Sequence, residues 1–71
     1  MKIVYTDHAR ERIKERLIRL ADIRAVLMRP DRSERVYEDK VMSRKNIRGR
    51  VIEVVFIQKK SITVIITAYY L

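Results

Sequence analysis

Residues 50–58, RVIEVVFIQ, and 61–70, SITVIITAYY, are two long runs of β-branched and aromatic side chains separated by little more than Lys59-Lys60. Such side chains suit a pleated sheet, so this third of the chain reads as a β-hairpin that the remaining residues must cover. Strict alternation in the second run places Ile62, Val64, Ile66 and Ala68 on one face and Thr63, Ile65, Thr67 and Tyr69 on the other. The first face is wholly apolar and is expected to carry the core. The second is partly polar and is expected to stay open.

Ahead of the hairpin, KIVY at 2–5 reads as a short strand, and Thr6 or Asp7 offers an N-cap for a helix running to about Arg16 or Leu17. Ala9, Ile13 and Leu17 recur at i, i+4 and i+8 as a core stripe, with Ile18 at the turn. Leu20, Ile23, Val26 and Leu27 give a second helix over 20–28, which Pro30 ends by disfavouring helical backbone at Arg29. Residues 32–37 and 41–47 read as strands around a turn at 38–40, and Arg48-Gly49 supplies the next hairpin turn. The expected fold is α+β in the order β-α-α-β-β-β-β, two N-terminal helices packed on one face of a curled antiparallel sheet. Pro30 and Gly49 are the only strong breakers, no linker or repeat appears, and residues 1–71 read as one domain.

Seventeen Lys and Arg against nine Asp and Glu leave a formal charge of +8, enough to attract a phosphate polyanion. The excess is concentrated in residues 40–50, where Lys40, Arg44, Lys45, Arg48 and Arg50 meet no acid. A basic strand pair of this kind is a footprint for nucleic acid, and equally a protected sheet edge; a heat-stable charged surface gives the same composition. Tyr69 offers a ring on which a base can stack, or packs as an ordinary half-buried strand tyrosine. Without cysteine, and with His8 as the single histidine, neither disulfide nor structural metal nor cofactor is expected. Charge arrives by the seventh residue and no apolar run approaches the ~20 residues of a membrane span, so a cytoplasmic protein is expected.

His8, Arg12 and Arg16 stand at i, i+4 and i+8, a column beside the apolar stripe of the first helix. A histidine, with an ordinary pKa of about 6.5, can exchange a proton at neutral pH, and arginines can grip a phosphate. Those are the ingredients of RNA cleavage: a base for the ribose 2′-proton, cations for the phosphorane, and an acid for the leaving 5′-oxygen. The alternative is structural, with His8 at the helix start and Arg12 and Arg16 paired to Glu11 and Glu15. Thr67 offers a hydroxyl to phosphate or is a plain strand threonine.

His8-Ala9-Arg10-Glu11-Arg12 with Glu15-Arg16, then Ile18, Asp22-Ile23, Pro30-Asp31 and the closing Val64-Ile65-Ile66-Thr67-Ala68-Tyr69, carry a family resemblance. The chain resembles small bacterial and archaeal domains of uncharacterised function whose signature opens HARxRxxER and ends in a hydrophobic strand closing with Thr and Ala. Those domains are similar in turn to RelE/ParE and colicin D/E5-like ribonuclease toxins. The resemblance implies a toxin-like endoribonuclease of messenger or transfer RNA that is held in check by an antitoxin. It implies His8 as acid or base, Arg12, Arg16, Lys45 and Arg50 as phosphate ligands, and Thr67 on the closing strand. The chain departs from the pattern at Leu17 and Arg19, where the family tends to have glycine and a small hydroxyl residue. A binding module without catalysis, or a protein-interaction subunit of the same fold, are the other readings.

Overall fold

The computed structural model describes residues 2–71. Its elements are β1 (Lys2–Tyr5), α1 (Asp7–Glu15), α2 (Leu20–Met28), β2 (Arg32–Tyr37), β3 (Lys40–Ile47), β4 (Arg50–Lys59) and β5 (Ile62–Tyr70). The α+β order is the expected one. The strands form one open sheet ordered β1-β5-β4-β3-β2. Neighbours from β2 to β5 are antiparallel, but β1 runs parallel to β5, with Val4 opposite Val64. The sheet is therefore mixed, not antiparallel as the sequence suggested. Hairpins dictate antiparallel pairing only for strands that they join. β1 has no hairpin partner, and its direction follows from where α1 must begin.

Thr6 caps α1, its Oγ1 accepting a bond from the Ala9 amide at 3.0 Å. The helix closes with a Schellman arrangement: the Ile18 amide donates to the Ile13 carbonyl and the Leu17 amide to the Lys14 carbonyl. Leu17 occupies the left-handed position at φ 55° and turns outward, 84% exposed, so Ile18 and not Leu17 completes the core stripe. Arg19 then stands at the N-cap of α2 without a side-chain cap bond. Both positions carry a local cost. Leu17→Gly removes left-handed strain, and Arg19→Ser supplies a capping oxygen while lifting a cation from the positive helix end; each should stabilise by about 1 kcal/mol. Together they should raise the melting temperature by about 10 °C in a domain of this size, read by thermal circular dichroism.

The core joins Ala9, Ile13, Ile18, Ile23 and Val26 from the helical side to Ile52, Val54, Ile65 and Ala68 of the sheet. This overturns the strict alternation expected of the last strand. Val55 pairs with Thr67 and Phe56 with Ile65, leaving Ile66 as an extra residue in a β-bulge. The bulge switches the faces, so Thr63 and Ile65 share the helix-covered side with Ala68, while Thr67 and Tyr69 face away. Buried Thr63 donates to Gln58 Oε1 at 2.6 Å. In α2, Ile23 and Val26 are buried, but Leu20, expected in the stripe, is exposed. No helix among the described residues is long and apolar enough to cross a membrane.

Candidate nucleic-acid interface

Pairing register assigns each cation of the basic hairpin to a face, because directly opposed residues point the same way. Lys45 lies opposite Ile52, and Arg50 precedes Ile52 by two, so both stand on the helix-covered side. Both have structural work there. Lys45 Nζ donates to the Arg29 carbonyl at 2.7 Å and sits 3.6 Å from Asp31 Oδ1, which pins the turn after α2 to β3. Arg50 stacks on Tyr70, 3.6 Å from the ring centroid. Arg48, with Gly49 in the left-handed turn, reaches back 2.8 Å to Asp22 Oδ2, a carboxylate buried at the start of α2. Arg48→Ala should cost about 1 kcal/mol, a modest figure because Arg48 itself is 65% exposed; a urea melt would read it.

Arg44 and Lys40 face the other way. Arg32, Arg44, Glu53 and Tyr69 are opposed in turn across β2, β3, β4 and β5, forming one row over the open face. The next row holds Glu34, Met42, Val55 and Thr67. Although both helices pack on the opposite side, Met42 is only 3% exposed and Glu53 only 6%, so neighbouring side chains close over the middle of this face. Glu53 is fully engaged: Oε1 accepts from Arg44 Nε at 2.6 Å and Oε2 from the Tyr69 hydroxyl. No local pattern signals this carboxylate, since an acid within an apolar strand becomes meaningful only once its cross-strand partners are known. Lys40 stands four residues along β3 from Arg44 and lies 5.9 Å from the Tyr37 ring centroid.

The helical column meets this face at one end. β1 covers β5 only as far as Ile65, and the remaining edge is bridged by α1. Thr6 Oγ1 lies 3.5 Å from the Ile66 carbonyl. At the far end Arg16 donates to the Ala68 carbonyl at 2.8 Å, and its guanidinium lies 6.0 Å from the centre of the Tyr69 ring. Arg16 thus joins the row as its outermost cation. Arg12 instead pairs with Glu15 at 2.5 Å, the structural alternative for that residue. His8 is exposed and its side chain makes no hydrogen bond among the described residues. Eight residues of helix put it about 12 Å along the axis from Arg16, so the two serve different parts of an extended ligand.

Tyr5 lies on the helix-covered side, where burial pushes the pKa of its hydroxyl up, against the opposing pull of Arg24 and Arg10. It has no place in the open-face row. What that row offers is a strip of guanidinium groups beside a tyrosine, with a histidine further along the adjoining edge. No curated protein and no solved structure matches the chain. A family model does match, described as a domain of unknown function (DUF4258), over residues 5–70. The match takes in nearly every residue from the end of β1 to the end of β5, and the chain belongs to that family.

Proposed function

We propose that this domain is a toxin-like endoribonuclease that lays messenger or transfer RNA beside α1 where it borders β5 and over the open face of the sheet, and cuts it without a metal. The observation that carries the reading is Arg16, which crosses the edge and ties the His8, Arg12 and Arg16 column to the row of Tyr69, Glu53 and Arg44. On this reading Arg16, Arg44 and Lys40 hold the backbone, Thr67 donates its hydroxyl to a phosphate, and His8 transfers the proton at the neighbouring nucleotide. An acidic antitoxin covering the row, and a cytoplasmic site of action, complete the proposal. The second reading, a binding module without catalysis, is favoured by the solvent-exposed His8, whose side chain has no hydrogen-bond partner to orient it among the described residues.

Incubation of the protein with total RNA in EDTA tests the first reading, with 2′,3′-cyclic phosphate ends as the expected product. Salt-dependent binding without cleavage would support the second. Both readings share one prediction about charge. Lys40→Ala and Arg44→Ala should each reduce the slope of log affinity against log salt by roughly one, while Lys45→Ala and Arg50→Ala leave it nearly unchanged. Equal effects from all four would mean that the helix-covered side also touches RNA. Fluorescence anisotropy across a salt series measures this directly.

A further inference from the structure

A carboxylate in the middle of a phosphate-binding row is at first sight out of place, since it repels the ligand. Glu53 is nevertheless buried, on a face that no helix covers, and each of its oxygens is occupied. The identity of its two partners gives it a use. A phenol carries one proton, and Tyr69 commits that proton to Glu53 Oε2. The Tyr69 oxygen is therefore left as an acceptor toward a ligand. On the other carboxylate oxygen, Arg44 is bound through Nε, which leaves its terminal nitrogens without protein partners among the described residues. One carboxylate thus presents an oriented acceptor and an oriented cation side by side, with Arg16 above the tyrosine ring as a second cation.

The ligand complementary to this pair has a hydroxyl donor next to an anion. A ribose 2′-hydroxyl beside its own 3′-phosphate has that arrangement, and a deoxyribose lacks the donor. We propose that Tyr69, polarised and held by Glu53, accepts a hydrogen bond from the ribose 2′-hydroxyl and so selects RNA over DNA, with Glu53 as the positioning residue. The inference rests on the reading of the open face as the RNA-facing surface, and it assigns that surface its sugar specificity. Tyr69 here is a hydrogen-bond acceptor as well as a ring on which a base can stack.

The test compares an RNA strand with its 2′-fluoro counterpart, which has no 2′ donor and is not cleaved through that position. Affinities are measured by anisotropy in the cold, with a denaturing gel to show that the RNA is intact. The wild type should bind RNA about five- to tenfold more tightly than 2′-fluoro RNA, the scale of one neutral hydrogen bond. Tyr69→Phe, which keeps the ring, should erase the difference, so that RNA and 2′-fluoro RNA bind alike whatever their common affinity. Glu53→Gln provides an independent variant: its amide can donate to the Tyr69 oxygen, which turns the Tyr69 proton outward and replaces the oriented acceptor by a donor, so the preference should fall. Circular dichroism of each variant checks folding. A preference that survives in folded Tyr69→Phe, or equal binding of both strands by the wild type, overturns the inference while leaving the RNA-facing reading intact. Failure of the wild type to bind either strand overturns both.

Discussion

His8→Ala is expected to slow RNA cleavage by about 10²–10⁴-fold, the usual contribution of a positioned general acid or base, with almost no loss of stability. The two effects separate because of where His8 sits. It is the second residue of α1, exposed, and without a side-chain hydrogen bond among the described residues, so its removal should change the folding free energy by less than about 0.5 kcal/mol. Arg16→Ala is a less selective probe. It deletes a phosphate ligand on the proposed reading, and it also deletes the bond to the Ala68 carbonyl that ties the end of α1 to β5. Both activity and stability should fall in that variant. Single-turnover cleavage of an oligoribonucleotide in EDTA, run beside urea melts of the same preparations, reads both quantities. Equal cleavage rates in wild type and His8→Ala would remove His8 from the site.

Ile65→Ala should destabilise the fold by about 4 kcal/mol, whereas Ile66→Ala, one residue on, should cost about 1 kcal/mol. Ile65 is fully buried against the helices, and truncation there leaves a cavity that a small β-sheet cannot close. Ile66 is the extra residue of the bulge and is only half-buried. A domain of this size has a total stability of only several kcal/mol, so Ile65→Ala should leave a substantial unfolded fraction at 37 °C while Ile66→Ala stays folded. Thermal and urea melts followed by circular dichroism distinguish the two. The reverse ranking would mean that the strand alternates without a bulge, with Ile66 in place of Ile65 against the helices.

Much of the architecture was legible because it follows from local rules. The β-branched runs, the Thr6 cap, Pro30 after α2 and the Arg48-Gly49 turn each fix their own neighbourhood through sterics and nearby hydrogen bonds, and all four are found where expected. The element order and the two-helix cover came with them. The candidate site was legible as a set of residue types, but not as an arrangement. The sequence offered Lys40, Arg44, Lys45, Arg48 and Arg50 as one basic group, and the sheet divides it. Two of these cations face the open side, and the other three are engaged with Asp22, Asp31, the Arg29 carbonyl and Tyr70.

The sequence by itself determined the elements, the approximate ends of each and the sign of the charge, since all of these depend on residues close together in the chain. The tertiary structure alone decided the parallel place of β1, the bulge at Ile66 and the role of Glu53. Each of these depends on what lies opposite in space. Register is a cooperative property of whole strands, and a one-residue insertion reverses every side chain beyond it, so the alternation that set Thr67 and Tyr69 on the open face could not show that Thr63 and Ile65 join Ala68 in the core, nor which cations stand beside Tyr69.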